Sequence, residues 1–216
     1  MKFRDIRNWT LAILLAIAGL AAPASQTANA TDFAPVTMEQ MIDASTYIVR
    51  GTVKKVWTEQ DSNGRVWTRA RVAVTDNFKG TAPAEIIVDN MGGTFGDVRA
   101  SVWATARYSL NEDVFIFVEQ LDNGRLSSFG LFNGKFTIRR AAGDTKLHAM
   151  KWHGHPDEPF DHRFLPYPAP QDRLYLDSLV ERVQNRVTAG WDGQPVPGVS
   201  METLRKINVK NNGGLQ

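Results

Sequence analysis

The stretch that most constrains this chain is Val114-Phe-Ile-Phe-Val118, five consecutive apolar residues with no polar position to turn toward water. Side chains of a strand alternate between two faces, so such a run predicts a central strand covered on both sides. It is the best core candidate in the sequence, and neighbouring segments supply partners for it. From Tyr47 to Trp57 the apolar positions alternate as Tyr47, Val49, Val53 and Trp57, with Arg50, Thr52 and Lys54 opposite, the period of a half-buried strand. The turn cluster Asp61-Ser-Asn-Gly64 then predicts a hairpin with Val66 to Phe78. In that second strand Val66, Ala70, Val72 and Val74 share one face, and Trp67, Arg69 and Arg71 share the other.

Further strands are expected over Glu85 to Asp89, Arg125 to Phe132, Lys135 to Arg139 and Thr145 to Met150, separated by turns at Asp122-Asn-Gly124, Asn133-Gly134 and Ala142-Gly-Asp144. Asn133-Gly134 between apolar runs is a hairpin signal, since both residues accept positive φ. The spacing of these short strands predicts a barrel or sandwich. Two helices flank them. Thr37-Met-Glu-Gln40 has the form of a capping box opening a short helix to Ala44, and Leu176, Leu179, Val180, Val183 and Val187 recur at helical spacing, with Gly190 as the stop. Ser200 is placed to cap a brief turn containing Met201 and Leu204. The expected fold is mainly β: a small antiparallel OB-like barrel with a short N-terminal helix and a longer C-terminal helix that needs an apolar surface to cover.

The beginning of the chain has a different character. Lys2, Arg4 and Arg7 precede an apolar run from Leu11 to Ala22, and small residues lead to Ala28-Asn-Ala30, the pattern of a signal peptide cut before Thr31. The apolar run is shorter than the roughly 20 residues needed to span a bilayer. The reading is an exported chain, periplasmic or extracellular, with no integral membrane segment after processing. It divides into a signal peptide (1–30), a β-barrel domain (31–150), a Pro/His-rich loop (151–171), a docked helix (172–190) and a C-terminal tail (191–216).

Composition narrows the function classes. The chain has no cysteine, which excludes thiol nucleophiles, thiolate metal sites and disulfides. Removing the signal leaves acids and bases nearly balanced, which argues against nucleic acid or an anionic membrane as the partner. The aromatic load of 11 Phe and 6 Trp points to packing as the source of stability.

The order of Thr37 to Ile138 carries a resemblance. A short helix, Tyr47-Ile-Val-Arg-Gly-Thr-Val53, Thr75-Asp-Asn-Phe-Lys-Gly80, Val114 to Val118 and Gly134-Lys-Phe136 resemble a pattern of uncharacterised exported bacterial proteins, and also the netrin-like modules of metalloproteinase inhibitors. The latter implies an OB-type barrel. Those inhibitors present an N-terminal cysteine to the protease metal, and this sequence has none, so no functional residue carries over.

Candidate chemistry is sparse. His153-Gly-His155-Pro-Asp157-Glu158, with Asp161 and His162, has ligand types that suit zinc, so His153, His155 and His162 are the candidate metal residues. His153-x-His155-x-Asp157 also matches most of the metal motif of metallo-β-lactamase-like hydrolases, but Glu158 stands where that motif needs His. A proline-rich loop carrying unliganded histidines accounts for the same residues. Trp67, Arg69 and Arg71 form an aromatic and basic stripe of the kind that binds single strands on OB barrels, or equally an outer face with its tryptophan packed under a neighbour. No serine motif or phosphate-binding loop is present, and Gly92-Gly93 reads as a mobile connection. No catalytic residue and no cofactor is expected. The function expected is a non-enzymatic binding module acting on another exported protein or the cell envelope, with a metal or small-ligand carrier as the alternative and a hydrolase third.

Overall fold

A computed structural model describes residues 36–102, 105–140, 143–151 and 172–212. In chain order the elements are α1 (Met38–Ala44), β1 (Tyr47–Gln60), β2 (Val66–Lys79), β3 (Glu85–Met91), β4 (Gly93–Phe95), β5 (Val98–Ala100), β6 (Asp113–Gln120), β7 (Leu126–Ser128), β8 (Lys135–Arg140), β9 (Leu147–Lys151), β10 (Asp172–Tyr175), α2 (Leu176–Ala189) and α3 (Met201–Asn212). The fold is mainly β, an OB-like closed barrel with a short helix before it and longer helices after it. Strands β1, β2, β3, β7 and β6 lie side by side, and a further β1–β6 pairing closes the ring. Four seams are antiparallel, and β3 meets β7 in parallel at Val88 and Leu126.

Strand β6 is the hub. Its end, Val118 to Gln120, pairs with β7, and its start, Val114 to Ile116, pairs with β8, from which β9 and β10 extend the sheet. Phe117 sits between these halves: its N–H donates to the Gly134 carbonyl (2.7 Å) and its carbonyl accepts from the Phe129 N–H (2.8 Å). This corrects the expected hairpin at Asn133-Gly134. β7 and β8 run along the same flank of β6 and do not form a two-strand hairpin with each other. The positive φ angles fall earlier, at Gly130 (55°) and Leu131 (64°). Gly134 is needed for close approach instead, because a Cβ there would lie 2.5 Å from the Phe129 nitrogen.

The alternation of β6 divides the core in two. Val114, Ile116 and Val118 point into the barrel with Val49, Val53, Ala70, Val72, Ile86 and Val88. Phe115 and Phe117 point outward, where Ile48, Phe136, Met41, Ile42, Leu179, Val183 and Leu204 cover them. Both faces of the apolar run are therefore buried, as its composition requires. The outer rings form a ladder, Phe78 to Phe115 at 4.9 Å, Phe115 to Phe117 at 5.5 Å and Phe117 to Phe136 at 6.0 Å between centroids, within the usual range for aromatic pairs.

The helices are held to this face by apolar stripes and by polar locks. α1 has the capping box expected, Thr37 accepting from the Gln40 N–H and Gln40 accepting from the Thr37 N–H. α2 buries Leu176, Leu179 and Val183 and stops at Gly190, φ 76°. It starts directly from β10, so residues 172–175 are strand where helix was expected. The tail holds α3, twelve residues rather than a brief turn, capped by Ser200 through the Thr203 N–H. Its sequence is polar, and Leu204 and Asn208 are what tie it down. Asn208 donates to the Asp43 carbonyl (3.1 Å), while Lys79, 5% exposed, donates to the carbonyls of Ile42 (2.7 Å) and Asp43 (2.9 Å) at the end of α1. An ammonium at a helix C-terminus meets the negative end of its dipole. Burial nevertheless pulls the Lys79 pKa from 10.5 to about 8.

Candidate functional site: the barrel mouth

The histidine segment, His153, His155 and His162 with Asp157, Glu158 and Asp161, lies outside the described residues. It connects β9 to β10. Among the described residues no group of three or more His, Cys, Asp or Glu is placed to hold a metal ion. His148, on β9, is buried and engages Asp144 through Nε2 (2.6 Å), with Arg173 against its ring nitrogens (3.0 Å) and Tyr175 at 4.8 Å between rings. This cluster ties the β8–β9 turn to β10.

The stripe on β2 resolves into structure rather than a stacking platform. Trp67 is 5% exposed, its indole N–H donates to Asp61 (3.0 Å), and the Arg125 guanidinium lies 4.9 Å above its ring. Arg69 is shared between Glu59 (2.9 Å) and Asp89 (2.8 Å). The half-buried ring on this face is Trp57, flanked by Lys55, Arg69 and Arg71 at 5.1, 5.4 and 6.0 Å. It reaches the outer face because β1 is bulged between Val53 and Lys55. The extra residue reverses the alternation, so Val56 packs on the barrel interior in place of Trp57.

Two open grooves along α2 measure about 380 and 340 Å³, and a more enclosed cleft lies at the barrel mouth. This cleft measures about 290 Å³ and is lined by Thr68 of β2, Asn90 and Met91 of β3, Gly92 after it, Thr94 and Arg99 of the β4–β5 hairpin, and Ala106, Arg107 and Tyr108 of the segment before β6. That is the small end of ligand pockets, which run roughly 300–1,000 Å³. On β2, β3 and β7 the interior face is apolar lower down, at Val72, Val88 and Leu126, and turns polar here, at Thr68, Asn90 and Ser128. Gly92 and Gly93 form the wall: they adopt φ of 102° and 130°, and a Cβ on Gly93 would lie 2.5 Å from Thr68 Oγ1. What reads as a mobile connection is a close-packed turn.

Two buried polar groups of this cleft are unpaired. By hydrogen-bond geometry Asn90 Nδ2 and the Tyr108 hydroxyl have no partner among the described residues, with the residues 4% and 7% exposed; against the larger effect of burial, the Ser128 hydroxyl is close enough to the phenol to hold its pKa down somewhat, but not in bonding geometry. Ser128 stands below them, its one hydroxyl proton within reach of either Asn90 Oδ1 at 3.2 Å or the Leu131 carbonyl at 2.5 Å. Turning the amide over would place its NH2 on Ser128 and leave its oxygen unpaired instead. In either orientation one polar end of Asn90 lacks a protein partner. Each such group costs about 1–3 kcal/mol relative to a paired one. Burial pushes the Tyr108 phenol up, so it is a neutral hydroxyl at physiological pH. Below its ring the Lys135 ammonium sits 5.4 Å from the centroid, paired with Glu112, and Thr137 donates to the same carboxylate (2.5 Å). That lower layer is complete.

Sequence reasoning missed Asn90, Arg99 and Tyr108. The segment from Asp97 to Tyr108 has no periodicity that would assign it to the barrel, and an isolated Asn or Tyr has no motif. The one available signal was Gly92-Gly93, two glycines where close approach rather than mobility was the requirement.

The class defined at this point is an OB-like barrel with a polar cleft at its mouth. Comparison with protein-family models, with curated proteins and with solved structures gives no match.

Proposed function

We propose that the protein is an exported, non-enzymatic binding module that acts on another extracytoplasmic protein or on the cell envelope. The observation that carries this reading is the barrel-mouth cleft, where the buried Asn90 and Tyr108 lack partners while the adjoining hairpin holds large apolar side chains in solvent. Met91, Phe95 and Val98 are 39%, 43% and 44% exposed. Unpaired donors behind an apolar rim suit recognition, since a ligand supplies both the missing hydrogen bonds and a cover for the rings. Thr68, Asn90, Arg99 and Tyr108 offer hydrogen-bond donors and a cation, groups suited to holding a ligand.

The cleft volume favours a second reading, a carrier of a small ligand seated at the mouth. Both are tested by affinity capture from periplasm or culture medium with tagged wild type and with Phe95→Asp/Val98→Asp, a surface change expected to leave the melting temperature unmoved. The binding-module reading expects a discrete exported protein or envelope fragment on the wild type and its loss on the variant. Identical retention by both would overturn it. Export is checked separately: mass spectrometry of the secreted material is expected to give Thr31 as the first residue, and an intact chain in the membrane fraction would refute processing.

A further inference from the structure

Resting on the binding-module reading, we infer that the barrel-mouth cleft is a carboxylate-binding subsite that takes an organic acid of the size of an amino acid, either free or as the C-terminal residue of a polypeptide. Three observations converge on that chemistry. The first is the pair of unpartnered groups at the floor, the Asn90 amide and the Tyr108 hydroxyl, both more than nine-tenths buried. A carboxylate accepts from both at once, and it selects the amide orientation that turns NH2 toward the cleft.

The second is charge. Arg99 lines the cleft at its exposed rim, and none of the described lining residues is acidic. A guanidinium at the rim of a cavity floored by neutral donors favours an anion, and the planar fork of Arg99 matches the two oxygens of a carboxylate. The third is shape. Met91, Ala100, Val102 and Ala106 share the walls, so the space beside the polar floor accepts a short apolar body and is not filled by a bare inorganic anion. A ligand carrying a carboxylate on a small aliphatic residue satisfies floor, rim and wall together.

Calorimetric titration of the purified protein with N-acetyl-leucine, N-acetyl-leucinamide and inorganic phosphate tests the assignment, alongside an acetylated tripeptide ending in leucine with a free or amidated C-terminus. The expected result is binding of both free acids, with each amide at least about tenfold weaker and phosphate weaker still. Tyr108→Phe removes only the hydroxyl and Arg99→Gln changes an exposed side chain, so both retain the fold. Each should weaken the acids by about tenfold while leaving the amides unchanged. Tighter binding of the tripeptide than of N-acetyl-leucine identifies a polypeptide end as the source, and equal binding identifies a free acid. Equal affinity for acid and amide, phosphate competing on equal terms, or insensitivity to Arg99→Gln would each overturn the carboxylate assignment. If no acid binds but Phe95→Asp/Val98→Asp still loses its captured partner, this inference fails and the binding-module reading stands. If the captured partner is also unaffected, both fail.

Discussion

Beneath the helices and at the barrel mouth, buried polar groups are treated in opposite ways. On the helical side every one of the central groups is answered: Lys79 finds two carbonyls and the Asn208 amide oxygen, Asn208 donates to Asp43 and Leu204, and Arg186 pairs with the Asp43 carboxylate at 2.5 Å. At the mouth, Asn90 and Tyr108 are left open behind glycines that hold the wall close. Completed networks fix an arrangement, and their loss is paid in stability. Unfinished ones are a reserve for something that arrives later, so the difference separates what builds this protein from what it is built to meet.

The sharpest way to break the comparison is in the core between the two regions. Phe117→Ala removes the ring at the centre of the outer ladder and should cost about 3–5 kcal/mol in denaturant unfolding. A change within about 0.5 kcal/mol, the range of surface substitutions, would mean that the ladder contributes little. Next in size is Lys79→Met, which leaves the Ile42 and Asp43 carbonyls unanswered and should cost about 1–3 kcal/mol near neutral pH. The sign of its pH dependence follows from the depressed pKa. Between about 8 and 10.5 the unfolded chain holds a proton on Lys79 that the folded chain has lost, so stability gains with rising pH across that window. The gap between wild type and Lys79→Met should therefore widen from pH 8 to pH 10.5, and a constant gap would refute the burial argument.

Much of the helical side could be anticipated from residues alone, and little of the mouth could. The run Val114 to Val118 announced a strand covered twice, and Leu176, Leu179 and Val183 announced the helix that covers it, because burial writes itself into periodicity. The α1 cap was readable from Thr37 and Gln40 for the same local reason. Trp57 was misplaced because a bulge between Val53 and Lys55 depends on cross-strand register, which no single strand reveals. Asn133-Gly134 misled because the glycine answers a contact with Phe129 on the far side of a loop. Asn90 and Tyr108 were invisible because what marks them is a missing partner, a property of the assembled barrel.

Glu119 gives a smaller effect. It lies at the end of β6 with the Gly130 N–H on its carboxylate (3.2 Å), and burial lifts its pKa from 4.5 to about 7. The folded state then holds a proton that the unfolded chain releases between those values, so the contribution is complete below pH 4.5 and is lost as pH rises through 7. Glu119→Gln should raise the melting temperature at pH 8 and leave it nearly unchanged at pH 4.5. An equal rise at both would show that the charge is irrelevant. The smallest effect expected is that of Tyr108→Phe on ligand-free stability: with no well-formed hydrogen bond to lose beyond the approach of Ser128, the change should be within about 1 kcal/mol and in the stabilising direction. A clear destabilisation would mean that the hydroxyl is already engaged and that the mouth is as complete as the helical side.

The ring itself has a clasp. Where β1 and β2 run together from Ile48 and Lys79 to Gln60 and Val66, β3 and β7 touch through the single rung of Val88 and Leu126. The joint is reinforced from outside by Arg125 reaching Asp89 at 2.9 Å and from inside by Ser128 reaching Asn90 at 3.2 Å. With one backbone rung against the several of every other seam, it is the joint of the ring expected to open most readily. Asn90 and Ser128 stand on opposite sides of that joint, so each time the clasp slackens the floor of the cleft parts with it, and a ligand that grips the floor would be fastening the barrel shut.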